Sequence, residues 1–146
     1  MRAACIASLE AVLALTACEP RHLVPPSTAA TLNMVAVAAQ AARLWRGVDE
    51  EFAERALEAA QRGYGAALRH PDVYTYNVFD GGGAYGDTDV SDEFAWAATE
   101  LYATTGETAY LSNLAQTPGA AWLARVRDGQ VRDAFWANVD QLPAAT

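Results

Sequence analysis

SDEFAWAATELYATTG, residues 91–106, is the most regularly patterned stretch of this 146-residue chain. One stripe recurs at the three- and four-residue spacing of a helix face, and its members are Phe94, Ala97, Ala98, Leu101, Tyr102 and Thr105. Ser91 is a favourable N-cap residue, and Asp92 and Glu93 complement the positive end of a helix dipole. Gly106 is a typical helix stop. The stretch therefore predicts a helix that begins at Ser91 and ends at Gly106.

A second helix is predicted upstream of this stretch. Pro25-Pro26 stops any preceding helix, Ser27 offers an N-cap oxygen, and the following residues are compatible with a helix through Trp45, before Gly47 ends it. Apolar side chains lie on nearly all sides of this segment. Because a soluble helix of that kind is normally buried, we expect it in the core, with Trp45 among the core residues.

A third helix follows after a short turn, and it is amphipathic. Asp49 caps it, and its opposite face is charged and includes an i,i+4 pair of Glu58 and Arg62. Its apolar stripe consists of Phe52, Ala56, Leu57, Ala60, Tyr64, Ala67 and Leu68. His70-Pro71 ends the helix, and His70 is a C-terminal cation favoured by the dipole. This pattern predicts a half-exposed helix that forms an α-hairpin with the preceding one.

The rest of the chain alternates a glycine-rich loop with shorter helical segments. Residues 72–90 have almost no helical period, and long loops in compact domains are often functional. Further helices are predicted at Glu107–Leu114 and Pro118–Val126, where Trp122 is assigned to the core, and a last element at Arg132–Leu142. The predicted fold class is all-α, built from packed α-hairpins.

Charge is distributed unevenly along the chain. Ten Arg and no Lys oppose eighteen acidic residues, for a net charge of -8. Between His70 and Leu123 the sequence has eight acids and no Arg, whereas acids and Arg balance elsewhere. The acidic balance disfavours a nucleic-acid partner, because phosphate backbones attract basic surfaces.

Residues 1–18 form a signal-like or non-native leader. They end in Leu15-Thr16-Ala17-Cys18, which looks like the lipid-attachment box of a bacterial lipoprotein, with Cys18 as the lipidated residue. The alternative is an Ala-rich helix with one charged face, because Glu10 interrupts the apolar stretch. Cys5 and Cys18 make neither a disulfide framework nor a metal site, and no segment is long and apolar enough for a transmembrane helix.

Four blocks of sequence resemble one known family. Residues 25–33, 38–45, 81–87 and 91–102 are similar, in the same order, to the catalytic domain of glycoside hydrolase family 9, the cellulases built on a six-hairpin α/α barrel. The resemblance implies that residues 19–146 are part of such a domain and that the fold is a section of the barrel. It corresponds to only a middle slice of the larger domain.

The resemblance also implies hydrolysis of β-1,4-glucosidic bonds with inversion. That reaction needs a carboxylate base and a carboxylic acid about 6.5 to 9.5 Å apart. The family carries the base on an Asp-Ala-Gly-Asp stretch, which is absent from this sequence, and the acid on a downstream Glu. We therefore expect no catalytic residue here, a cellulose or β-glucan partner for the whole enzyme, and no activity of the chain alone.

The acidic cluster at the end of the glycine-rich loop is the best candidate site. The family binds a structural calcium at this position, so the resemblance implies metal ligands at Thr88, Asp89, Asp92 and Glu93. Calcium takes six to eight oxygens from carboxylates and carbonyls, which such a loop can supply. The alternative is that Asp92 and Glu93 only favour the start of the helix.

Aromatic side chains are candidate sugar platforms. Tyr85 and Trp136 are predicted to bind substrate, since a pyranose ring stacks on an aromatic face. Trp96 is a third candidate, although an aromatic residue on a patterned helix more often packs in the core.

Two other functions are compatible with the residues. The first is a non-catalytic helical module that binds carbohydrate or a partner through the acidic loop; the second is a helical-repeat scaffold, which the lack of a fixed repeat disfavours. The family resemblance also predicts where the protein is located and whether it self-associates. The family reading places the protein outside the cell or at its surface. A section of a barrel also exposes helix faces, which predicts self-association and marginal stability.

Overall fold

The computed structural model describes residues 25–75, 87–133 and 138–145. All regular elements within these ranges are helices, which confirms the predicted all-α class. They are α1 (Thr28–Trp45), α2 (Glu50–Arg69), α3 (Ser91–Thr105), α4 (Ala109–Ser112), a 3₁₀ turn (Leu114–Gln116), α5 (Gly119–Arg127) and α6 (Leu142–Ala145).

The α1–α2 hairpin forms as the sequence predicts. Ser27 Oγ accepts a hydrogen bond from Ala30 N at 3.3 Å, and Asp49 Oδ1 accepts one from Phe52 N at 2.9 Å, so both predicted N-caps are confirmed. Gly47 makes the turn with φ of 82°, a conformation that side chains with a Cβ rarely adopt. The two helices then pack antiparallel along their length.

Helix α3 lies beside α1 and runs parallel to it. Near the start of α3, the Phe94 ring contacts Tyr64 with centroids 6.3 Å apart, and Tyr64 belongs to the part of α2 that packs on the first half of α1. Near the end of α3, Thr104 Oγ1 donates to the Ala39 carbonyl at 2.9 Å. Helix α2 is therefore antiparallel to both of its neighbours.

A charged network fixes α3 against the second half of α1. Arg43 Nη2 lies 2.9 Å from Glu100 Oε2, and its Nη1 donates to Thr104 Oγ1 at 2.9 Å. Glu100 is buried, and its Oε1 accepts a hydrogen bond from Trp96 Nε1 at 3.4 Å. Arg43 is half-buried, so the buried carboxylate of Glu100 sets the relative position of the two helices, because any slip would leave its charge unpaired away from water.

The most enclosed helix is α3, not α1. Helix α3 is contacted by α1, α4, α5 and α6, and ten of its fifteen residues are buried, including the first five, Ser91 to Ala95. In α1, by contrast, Val37 is 54% and Leu44 69% exposed. The expectation that α1 is buried on all sides is therefore wrong for the described part of the chain, because α2 and α3 pack against one side of it only.

Two assignments to the core have opposite outcomes. Trp122 is buried, as predicted, and its Nε1 donates to the Asp140 carbonyl at 3.0 Å. Trp45 is 46% exposed, so its assignment to the core is wrong. It is the last residue of α1, where it packs edge-on against Phe52 with ring centroids 5.3 Å apart.

Of the three downstream elements, the predicted helix at Pro118–Val126 is confirmed by α5 to within one residue at each end, and the other two are shorter than predicted. The predicted helix at Glu107–Leu114 is only one turn of α-helix, α4, followed by the 3₁₀ turn. The predicted element at Arg132–Leu142 is not a helix in its described residues, and α6 begins only at Leu142. In this region the backbone is held by side-chain contacts from distant residues, which sequence periodicity does not report.

Among the described helices, none combines the length and apolar composition needed to cross a membrane.

Replacing Gly63 by Ala should loosen the hairpin. A Cβ built at Gly63 would lie 2.7 Å from Val35 Cγ2 and 2.9 Å from Met34 Cε, and Val35 is a stiff, buried side chain. We expect Gly63→Ala to lower the free energy of unfolding by about 1 to 3 kcal/mol in urea titrations.

Gly65→Ala is the matched control, two residues along the same helix. Its Cβ would meet only Arg69 Nη1, at 3.5 Å. Because Ala is the better helix former, this change should raise the free energy of unfolding by about 0.5 to 1 kcal/mol. Equal effects of the two substitutions would contradict the close approach of α2 to α1 at Gly63.

Candidate functional site

The acidic residues before α3 organise the start of that helix. Asp87 Oδ1 accepts a hydrogen bond from Asp89 N at 2.9 Å. Asp89 Oδ1 in turn accepts from Ser91 N at 3.2 Å and from Ser91 Oγ at 2.5 Å. The prediction that Ser91 caps the helix is therefore wrong, because its hydroxyl bonds back to Asp89 and α3 has no side-chain cap. The helix starts at Ser91, with Val90 at the N-cap position, one residue earlier than a cap at Ser91 implies; the stop at Gly106 is confirmed.

Two arginines from distant parts of the chain bind this cluster. Arg125, on α5, donates from Nη2 to Ser91 Oγ at 2.8 Å and lies 3.4 Å from Asp89 Oδ2. Arg132 Nη1 lies 3.1 Å from the same Asp89 oxygen. The segment that has no arginine in the sequence thus receives positive charge from residues more than thirty positions away.

Both arginines also hold Asp140, which is fully buried. Arg125 contacts both carboxylate oxygens, with Nη2 at 2.7 Å from Oδ1 and Nε at 3.2 Å from Oδ2. Arg132 donates its backbone N–H and its Nε to Oδ2, at 2.9 and 3.0 Å. Burial acts to raise the pKa of Asp140, but the hydrogen bonds from Arg132 and Arg125 outweigh it and lower that pKa to about 2.

Asp92 and Glu93, in the first turn of α3, are buried but only partly paired. Asp92 Oδ2 accepts a hydrogen bond from Val139 N at 2.5 Å, whereas Oδ1 has only Arg132 Nη2, at 3.5 Å. Glu93 Oε2 and Asp87 Oδ2 accept no hydrogen bond from the described residues. Burial raises the pKa of Asp92, and burial together with the Asp92 charge raises that of Glu93 to about 8.

The pair Asp89 and Asp140 therefore differs in charge balance from the pair Asp92 and Glu93. Asp89 and Asp140 are neutralised by the two guanidinium groups. Glu93 has no such partner among the described residues, and its neighbour Asp92 repels its charged form. Buried carboxylate oxygens without partners cost stability unless something else binds them, and a cation is the natural candidate.

The other predicted site residues are placed as follows. Thr88 is exposed in the loop before α3. Tyr85 and Trp136 lie outside the described residues, so their predicted contacts with sugar stay predictions. Trp96 is half-buried and bonded to Glu100, which favours the packing interpretation. His70 is at the end of α2, where its backbone N–H bonds the last carbonyls of the helix.

Sequence reasoning missed Arg125, Arg132 and Asp140. Arg125 lies 34 residues from Ser91, and Asp92 lies 47 residues from Val139, so no local pattern connects them. One signal was available: an acidic segment without arginine in a chain whose arginines otherwise balance its acids. Such a segment requires positive charge from elsewhere in the fold or from a bound cation.

Comparison with known proteins defines the class. The solved structures that this fold resembles are glycoside hydrolases with an α/α barrel. The sequence profile of Glycosyl hydrolase family 9 matches residues 12–145, and the chain belongs to that family. The earlier resemblance is thereby confirmed.

Two curated relatives are similar at high identity. Cellulose 1,4-beta-cellobiosidase of Acetivibrio thermocellus is 50% identical over 104 residues, which cover 68% of this chain and 12% of the relative. Endoglucanase C of Cellulomonas fimi is 51% identical over 102 residues, covering 68% and 9%. The chain thus corresponds to about a tenth of these relatives.

Two solved structures of family 9 enzymes are also similar to this chain. A Bacteroides ovatus GH9 structure matches with a TM-score of 0.65 and 31% identity, over 88% of this chain and 24% of that one. The family 9 endoglucanase J30 matches with a TM-score of 0.68 and 28% identity, over 80% of this chain and 21% of that one.

Asp140→Asn should strongly destabilise the fold. The substitution keeps the shape but removes the charge that two arginines share, and breaking a buried ion pair costs about 3 kcal/mol or more. Asp128→Asn is the control, because Asp128 pairs with Arg127 at the surface, and we expect a change within about 0.5 kcal/mol. Chemical denaturation of both variants checks this; equal losses would contradict the role of Asp140.

The effect of Asp140 should also depend on pH in a defined direction. Its pKa is about 2 in the folded chain and about 3.9 in the unfolded chain. A lowered pKa stabilises the fold above the unfolded value, and this contribution is lost as the pH falls through the folded value. The difference in unfolding free energy between wild type and Asp140→Asn should be constant above about pH 5 and shrink towards pH 2. A difference that grows on acidification would contradict the pairing.

Proposed function

We propose that this chain forms part of the catalytic domain of an enzyme that hydrolyses β-1,4-glucosidic bonds of cellulose or a related β-glucan with inversion. The observation that carries the proposal is the family match over residues 12–145, together with about 50% identity to relatives named as a cellobiosidase and an endoglucanase. An insoluble polymer cannot enter a cell, so we place the activity outside the cell. Anchoring through Cys18, which lies outside the described residues, stays a prediction.

The role of this chain within the domain is structural and not that of the catalytic pair. Inversion needs one carboxylate free to take a proton and one carboxylic acid free to give it. Here Asp89 and Asp140 form ion pairs with arginines, and Asp92 accepts a backbone hydrogen bond. The sequence also lacks the Asp-Ala-Gly-Asp stretch. In this proposal the chain supplies helices of the barrel wall, with Tyr85 and Trp136 as contacts for sugar rings.

A segment exchange tests this proposal. We expect the isolated chain to release no reducing sugar from carboxymethylcellulose. Endoglucanase C carrying residues of this chain in place of its matching 102 residues should keep activity within about tenfold of the parent, because the parent supplies the rest of the domain. A chimera that melts like the parent but has lost all activity would contradict the proposed function.

We further propose that the start of α3 holds a structural calcium ion. Its carboxylate ligands are Asp92 and Glu93, and Thr88 and Asp89 contribute neutral oxygens. Support comes from the two buried oxygens, Asp92 Oδ1 and Glu93 Oε2, that accept no hydrogen bond from described residues. A hard cation that takes carboxylate and carbonyl oxygens would satisfy both.

The fit to calcium is limited by the pairing of Asp89. Its carboxylate is occupied by Ser91 and two arginines, so only its backbone carbonyl is available. In the described ranges, no group of three or more His, Cys, Asp or Glu side chains is arranged to hold a metal. The remaining ligands must then be neutral oxygens, from the loop or from water.

Calcium should raise the melting temperature of the chain. At millimolar calcium we expect an increase of a few degrees, since a ligand at one hundred times its Kd adds about 2.7 kcal/mol. Glu93→Gln keeps the shape and should abolish the increase, whereas Glu107→Gln, at an exposed residue just after α3, should leave it intact. An unchanged melting temperature of the wild-type chain, or an equal response of both variants, would overturn the calcium proposal.

A further inference from the structure

Arg132 connects three carboxylates near the start of α3. Its Nη1 lies 3.1 Å from Asp89 Oδ2, and its Nε donates to Asp140 Oδ2 at 3.0 Å. Its Nη2 lies 3.5 Å from Asp92 Oδ1, a buried oxygen that accepts no hydrogen bond from described residues. Among the ion pairs of the described residues, this is the one that involves a carboxylate ligand of the proposed calcium site.

The guanidinium of Arg132 is held in this position by Asp140. The fully buried Asp140 accepts both the backbone N–H and the Nε of Arg132 on one oxygen, at 2.9 and 3.0 Å. If the guanidinium turned into solvent, the Nε bond would break and a buried carboxylate would lose part of its compensation, which is costly. The positive charge of Arg132 therefore stays beside Asp92 whether or not a cation is bound.

A positive charge fixed at this place has two opposite effects. In the chain without a cation it offsets the charge of Asp92, which is fully buried next to the buried Glu93. Towards a divalent cation on the same carboxylates it is repulsive, and charges near buried groups are screened less than charges in water. The Arg132 side chain is 39% exposed, so solvent reduces this repulsion without removing it. Arg132 thus stabilises the cation-free site and weakens cation binding.

We propose that Arg132 sets the calcium affinity of this site by holding a fixed positive charge beside Asp92. The inference rests on the calcium site proposed above and adds to it a residue that does not itself bind calcium. Loss of the charge then lowers the stability of the calcium-free chain but tightens calcium binding. A residue that only shapes the site would change both quantities in the same direction, because its loss would disorder the ligands.

Calorimetric titration of the full chain with calcium measures the Kd, and melting in the presence of a chelator measures the stability of the calcium-free chain. Arg132→Gln removes the charge, lowers the melting temperature in chelator, and lowers the Kd for calcium by about tenfold. Arg132→Lys keeps the charge but lacks the planar fork, so its Kd stays within about threefold of the wild-type value. A Kd of Arg132→Gln at or above the wild-type value overturns the proposal, as does an equal fall in both variants.

Arg125→Gln is the matched control within the same ion-pair network. Arg125 holds Asp140 and Asp89, as Arg132 does, but forms no described ion pair with Asp92. Its loss also lowers the melting temperature in chelator, whereas the Kd for calcium falls by less than about threefold. A fall as large as that of Arg132→Gln overturns the assignment to Arg132. If a variant does not fold alone, it and the wild type are compared in trimethylamine N-oxide, which favours the compact state.

The wild-type titration separates this inference from the proposals on which it rests. A wild-type chain that binds no calcium overturns both the calcium site and the role of Arg132, and leaves the proposed β-glucanase function standing. Calcium binding by the wild type without tightening in Arg132→Gln overturns the role of Arg132 alone. Tighter binding by a less stable Arg132→Gln chain supports the proposal.

Discussion

The carboxylate of Asp140, clamped between Arg125 and Arg132, is the interaction on which the rest of the site depends. It is fully buried, and through the two guanidinium groups it ties the last described segment to α5 and to the loop before α3. The same arginines neutralise Asp89, which in turn orients the first residue of α3. Without Asp140, two cations would compete for Asp89, and the segment that carries Val139 against Asp92 would lose its anchor.

The two arginines leave two buried acids, Asp92 and Glu93, only partly paired among the described residues. Asp92 and Glu93 are buried side by side, and the high pKa of Glu93 shows how costly its charged form is there. A fold selected for stability alone would have no reason to keep an unpaired buried acid beside another one. In the calcium proposal, the partly paired oxygens belong to the cation site, and the fully paired Asp140 supports the segment beside it.

Local rules predicted the hairpin and the bounds of its helices well. Ser27 and Asp49 act through residues three positions away, Gly47 and Gly106 act through their own backbone, and Glu58 pairs with Arg62 one turn along. Ser91 was misassigned because its hydroxyl donates to Asp89, while Phe94 N, which a capping Ser91 would bind, donates to the Val90 carbonyl. Trp45 and the burial of α1 were misjudged because composition shows that a face is apolar but not whether a partner lies against it.

By itself, the sequence determined the all-α class, the caps and stops of the main helices, the family, and the position of the acidic cluster. The helix caps and stops depend on contacts within about four residues along the chain. The family follows from long blocks of sequence that are similar to its members. The tertiary structure alone decided which acids are paired and which are not, since Arg125, Arg132 and Asp140 reach α3 only after the chain has folded back. It also decided that α3 is the enclosed helix and that the described elements leave one apolar face of α1 exposed, because burial depends on which neighbouring elements pack against a helix.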